Sequence, residues 1–136
     1  MPSDASERNI ALFHQAHEAF ERGDTEAMRS WFADDFVWHE PGHNPLSGDY
    51  RGADAVFGLF GRIGKATNGH FDTHLEDVVA NDGHLVALLH LEASSGANSI
   101  SMSRVNVYRV NPDGRVAERW GYVGDQAAFD DLFADA

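Results

Sequence analysis

Two stretches of this chain hold the side chains most able to do chemistry. The first is Trp38-His39-Glu40-Pro41, where an imidazole and a carboxylate are adjacent just before a proline. An imidazole gives and takes a proton near neutrality. A carboxylate does so only if burial lifts its pKa, and a position where the chain leaves a strand between packed layers keeps water scarce. The plainer roles are His39 as an anchor for the following loop and Glu40 as a solvated loop carboxylate. Strand alternation places Trp38 and Glu40 on one side and His39 on the other unless a bulge intervenes.

The second stretch runs from Arg104 to Tyr122. Asn111-Pro112-Asp113-Gly114 has the chemistry of a type I turn followed by a glycine bulge, which sets Asn111 opposite Arg115. Counting back, Val110 faces Val116, Tyr108 faces Glu118, Asn106 faces Trp120 and Arg104 faces Tyr122. One face of the hairpin then gathers Arg104, Asn106, Tyr108, Glu118, Trp120 and Tyr122, the mixture of a ligand-pocket wall. The competing reading is a wet outer face with aromatic cross-strand pairs. The expected site therefore has Glu40 or His39 moving a proton, facing Glu118 and Tyr122 across a cavity. Trp38, Arg104, Asn106, Tyr108, Trp120 and Tyr122 hold the ligand, joined by His17 from the first predicted helix.

Other chemistries lack their sequence requirements. His39, Glu40 and His43 do not have the H-E-x-x-H spacing of a helical zinc site, so no metal is expected. No serine has a G-x-S-x-G context, and Gly58 and Gly61 do not form a phosphate loop. No cofactor is expected.

The elements that must position these residues are legible from periodicity. Ile10, Phe13, His17 and Phe20 make one apolar stripe at helical spacing, with Asp4 and Glu7 resembling a capping box and Gly23 ending the helix. Asp24 caps a short helix expected over Thr25 to Phe32, Ala33-Asp34-Asp35 reads as a turn, and Phe36 to His39 as a short strand. Glu40 to Gly52, with two prolines, reads as a loop, and Ala53 to Ile63 returns to helical period. Four β-like runs follow, Phe71 to Ala80, His84 to Ala93, Ile100 to Val110 and Arg115 to Tyr122, before a last helix capped by Asp125. The order implies an α+β domain spanning residues 1 to 136, with helices covering one face of an antiparallel meander. If the loop Ser94 to Ser99 has odd length, His84, Val86, Leu88, His90 and Glu92 join the polar face. If even, Leu85, Ala87, Leu89 and Leu91 do; the sequence leaves both open. In the odd case those four residues would join Val105, Val107 and Ala117 on an exposed apolar face, which predicts a homodimer through the sheet.

Ten Lys plus Arg against twenty-two Asp plus Glu give a net charge of −12 on 136 residues. That excess disfavours nucleic acid and anionic membrane surfaces, which are bound through cations. The absence of cysteine removes disulfides and thiolate nucleophiles. No apolar run suits a membrane span and Met1 to Arg8 lacks a signal-peptide plan, so a cytoplasmic protein is expected.

The stretches Phe20 to Asp24 (FERGD), Trp31 to Gly42 (WFADDFVWHEPG), Asn44 to Gly52 (NPLSGDYRG) and Asp113 to Tyr122 (DGRVAERWGY) resemble the SnoaL-like group of the nuclear transport factor 2-like superfamily, relatives of polyketide cyclases and ketosteroid isomerases. The resemblance implies a cystatin-like α+β roll, a cone-shaped curved antiparallel sheet wrapped around N-terminal helices. It implies that Glu40 stands where the isomerases have a general-base Asp before Pro, and that Glu118 or Asp125 stands near the carboxylate of the cyclases. No Tyr occurs in the first three predicted helices to build the isomerase oxyanion hole. The implied activity is a small cofactor-free acid-base enzyme of isomerase, cyclase or hydrolase type, acting on a hydrophobic oxygenated small molecule. The alternative is a non-catalytic binding module using the same pocket.

Overall fold

The computed structural model describes residues 4–136. Helix α1 (Asp4–Glu21) buries Phe13, Ala16 and Ala19 as its apolar stripe requires, and Asp4 is already helical rather than a cap. It stops at Gly23, whose positive φ of 69° lets the Gly23 and Asp24 amides fold back onto the Phe20 and Ala19 carbonyls. Asp24 then caps α2 (Thr25–Arg29) by accepting from the Ala27 amide. This helix is shorter than expected, because Phe32 is drawn into the sheet opposite Val116.

Strand β1 (Phe32–Glu40) is correspondingly longer than its predicted Phe36 start. The expected turn at Ala33-Asp34-Asp35 is a register irregularity inside that strand, with Asp34 and Asp35 exposed. The predicted loop Glu40 to Gly52 contains an edge strand, β2 (Gly48–Arg51), antiparallel to β1. Its remainder is tied to α4 (Gln126–Leu132), since Asp130 accepts from the His43 amide, the Asn44 side chain and Gln126. Gly42 has φ +96° and runs so close to Asp130 and Gln126 that a Cβ there would overlap both.

Helix α3 (Ala53–Ala66) buries Val56, Leu59 and Ile63. The meander β3 (Phe71–Ala80), β4 (His84–Ser95), β5 (Asn98–Val110) and β6 (Val116–Val123) completes a curved, unclosed six-stranded sheet of order β2-β1-β6-β5-β4-β3. All neighbours are antiparallel except β1 and β6. The fold is thus the α+β roll expected, with α1 and α3 contributing to one buried side of the sheet.

The β4–β5 turn is the two-residue Gly96-Ala97, pairing Ser95 with Asn98, so the even register holds. Leu85, Ala87, Leu89 and Leu91 therefore line the interior and are buried. The exposed apolar face predicted from them in the odd case does not exist. Among the described residues no helix is long and apolar enough to cross a membrane.

Candidate active site

The β5–β6 hairpin begins as predicted, with the Asn111 amide donating to the Arg115 carbonyl and Val110 opposite Val116. One residue later the register slips, because Arg109 pairs with Glu118 and leaves Ala117 as an extra residue. A one-residue slip exchanges the faces of everything beyond it. Tyr108 stands opposite Arg119, Asn106 opposite Gly121 and Arg104 opposite Val123. Glu118, Trp120 and Tyr122 consequently lie on the outer face and do not line the cavity expected for them. Tyr122 is 58% exposed.

The inner face holds a cavity of about 210 Å³, walled by helices on one side and strands on the other. Of the predicted ligand-holding residues, His17, Trp38, Arg104, Asn106 and Tyr108 line it. Phe13, Phe20, Trp31 and Phe60 supply most of the remaining aromatic wall. Alternation along helix and strand brings these together. His17 follows Phe13 by one turn on α1, while Arg104, Asn106 and Tyr108 are every second residue of β5.

Behind the wall lies a buried polar chain. Glu40 is 4% exposed, and its Oε1 accepts from Trp38 Nε1 at 2.9 Å and from Arg119 Nη1 at 3.3 Å. Arg119, fully buried, also donates to the His39 carbonyl at 3.1 Å and to Asn106 Oδ1 at 2.6 Å. Its guanidinium stacks over the Trp38 ring at 4.0 Å. Because a guanidinium only donates, it fixes which end of the Asn106 amide is oxygen. The amide nitrogen then donates toward the Tyr108 hydroxyl at 3.5 Å. The Tyr108 proton meets no acceptor among the described residues and remains for a ligand. Burial holds the Tyr108 pKa above the ordinary phenol value, although Arg119 and Arg104 oppose it, so the phenol stays a donor. Burial and then the nearby Arg104 push Arg119 down to about 10, which still leaves it charged at neutral pH.

Sequence reasoning missed Arg119, since the ideal register places it outside with Val105 and Val107. The signal that could have found it is Gly121. A Cβ there would lie 2.4 Å from Arg119 Nη2, so the guanidinium fills the place of the missing side chain.

The acid-base candidates separate by face. Glu40 is inside but held by Trp38 and Arg119, and it is not part of the cavity lining. His39 and Glu118 are on the outer surface, where His39 Nε2 meets Glu118 Oε2 at 2.6 Å and Nδ1 meets Asp49 Oδ1 at 2.6 Å. The ring stacks on Trp120, and Arg109 reaches Glu118 at 3.3 Å. Burial would lower the His39 pKa, but the hydrogen bonds to Glu118 and Asp49 outweigh it and raise the value. His39, Glu40 and Glu118 therefore do not converge on one space. The imidazole at the cavity is His17, whose Nε2 lies 2.9 Å from Glu21 Oε1. Its ring stacks on Phe13 at 5.8 Å, and Tyr108 packs against that same phenyl ring at 5.9 Å. Among the described residues, no three His, Asp or Glu side chains are grouped so as to hold a metal ion.

A sequence profile of the SnoaL-like domain matches residues 13–119, which include every element from α1 to β6 in whole or part. Among solved structures, Bal32a from a soil-derived mobile gene cassette is 27% identical, with a TM-score of 0.88 over 96% of this chain and 99% of that one. An NTF2-like protein from Burkholderia xenovorans LB400 is 19% identical, with a TM-score of 0.78 over 94% and 97% of the two chains. TerC, co-crystallised with polyporic acid, is 18% identical, with a TM-score of 0.80 over 93% and 98%. The last two likenesses are of fold alone. No protein of curated function matches the chain significantly in sequence.

Proposed function

Since the chain belongs to the SnoaL-like domain family, we propose that it is a small acid-base enzyme, working without a cofactor on a hydrophobic oxygenated molecule enclosed in the aromatic cavity. The observation that carries this reading is that His17 and Tyr108 flank one apolar space, both packed against Phe13. With Glu21 Oε1 2.9 Å from its Nε2, a neutral His17 carrying its proton on Nε2 keeps a lone pair on Nδ1 and can act as a base. It takes a proton from the carbon next to a ligand carbonyl, the C–H electrons form a carbon–carbon double bond as the carbonyl π electrons move to oxygen, and that oxygen accepts from the Tyr108 hydroxyl. Return of the proton to another atom completes an isomerisation or starts a ring closure. Glu40, Arg119 and Asn106 act through Tyr108 as positioning residues. The co-crystallisation of TerC, a protein of this fold, with polyporic acid supports an oxygenated organic ligand.

The test is deuterium exchange at the carbon next to the carbonyl of a bicyclic ketone such as 2-tetralone, followed by NMR. Wild-type protein should accelerate exchange, and His17→Asn should lower the rate by roughly two to four orders of magnitude, the range for a positioned base. Tyr108→Phe should lower it with the fold intact. A ketone that binds without any acceleration would support the binding-module reading instead.

We also propose a homodimer through the outer sheet face. The support differs from the sequence expectation. Trp120, Val107, Val86 and Val79 form one cross-strand row, with Tyr122, Val105 and Leu88 in the next.

A further inference from the structure

Two guanidiniums and one carboxylate meet at the cavity wall, where Arg104 lines the cavity and Arg119 and Glu40 lie behind it. Arg119 is within 3.3 Å of Glu40 and hydrogen-bonded to it, whereas Arg104 approaches the same oxygen only to 3.9 Å. One negative charge thus stands against two positive ones, and the better geometry belongs to Arg119. Arg104 is only 5% exposed, lines the cavity, and its guanidinium makes no hydrogen bond among the described residues. Its Nε is buried without a partner, and the rest of the group lies over the Phe71 ring at 5.6 Å. A guanidinium has five donors in a rigid fork that matches a carboxylate, and leaving those donors desolvated without hydrogen bonds is costly. The other titratable groups at the cavity, His17 and Tyr108, supply no anion for it: His17 is paired with Glu21 and Tyr108 is a phenol held protonated by burial. On a chain of net charge −12, this local excess of positive charge is not a general attraction of the surface for anions.

We propose that the ligand of this cavity is an aromatic carboxylate, its rings among the aromatic side chains and its carboxylate accepting from the Arg104 guanidinium. The proposal rests on the cavity being the ligand site, as above, and adds the charge of the ligand. In this arrangement the carboxylate on Arg104 and the reacting carbonyl at Tyr108 are different groups of one molecule.

The experiment compares 2-naphthoate with its neutral isostere 2-acetylnaphthalene, following fluorescence of the wall residues Trp31 and Trp38. Wild-type protein should bind naphthoate at least tenfold more tightly than the ketone. Arg104→Gln should abolish that preference while still binding the ketone, which also reports that the fold survives, and Arg104→Lys should keep part of it. Equal binding of the two probes by wild-type protein, a comparison that needs no variant, would overturn the proposal, as would a preference that persists in Arg104→Gln. Both probes binding equally would leave the acid-base reading standing. Neither binding would overturn both.

Discussion

Arg119 gives the buried network its shape, because its single guanidinium joins Glu40, Asn106 and the β1 backbone and covers Trp38. Replacing it by Met would leave Glu40 charged, buried and without its hydrogen-bonded cation, a situation that costs about 3–5 kcal/mol. Urea denaturation of Arg119→Met should show that loss, and an unchanged midpoint would refute this account of the network. His39 makes a different, pH-dependent contribution. Its folded pKa is raised, so the stability it supplies is complete below its unfolded value, near 6.5, and is lost as pH rises through the folded one. Glu118 is lowered, through its hydrogen bond to His39, so its share is present above its unfolded value near 4.5 and is lost as pH falls through the folded one. Thermal melts from pH 5 to 8 should therefore show a decline that is flattened in His39→Asn. If the variant declines as steeply as the wild type, the stabilising ion pairs are elsewhere.

At the scale of elements, the extra residue Ala117 decides which side chains of β6 reach the interior. Gly121 is its counterpart, leaving the space that Arg119 then crosses. Gly121→Ala adds one methyl where the guanidinium lies pinned by its hydrogen bonds, so the group cannot simply swing aside. Overpacking of this kind costs about 1–3 kcal/mol, and thermal unfolding should register it. Weakened ketone exchange should accompany it, because Asn106 and Tyr108 are aligned through Arg119. A variant as stable as the wild type would show that Arg119 has another place to go.

For the whole molecule, the helices cover one face of the sheet and leave the other with an apolar band. Val79, Leu88 and Tyr122 on that face are 52%, 39% and 58% exposed. Large contiguous apolar patches of this sort usually mark a contact surface, and a two-fold pairing of the band with itself would cover it. Light scattering at micromolar concentration should give the mass of two chains, and Leu88→Lys with Tyr122→Lys should give one. A single-chain mass for the wild type would remove the dimer from consideration.

Local rules were enough for much of this protein. The apolar stripe of α1, the Asp24 and Asp125 caps, the glycine stop at Gly23 and the turn at Asn111 to Gly114 are set by residues within a few positions of one another, so periodicity and capping chemistry determined them. The faces of Trp38, Glu40 and His39 followed from alternation alone. What lay beyond local reading was register between distant segments. The two-residue Gly96-Ala97 turn turned Leu85, Leu89 and Leu91 of β4 inward, and the bulge at Ala117 turned Glu118, Trp120 and Tyr122 outward and Arg119 inward. A period of two makes every such slip exchange whole faces. The parallel pairing of β1 with β6 spans about eighty residues, and nothing within either segment specifies it. Tertiary structure alone therefore decided that His39 and Glu118 meet outside the cavity and that Glu40 is held within the network, whereas His17, Arg104 and Tyr108 were already expected to share one cavity.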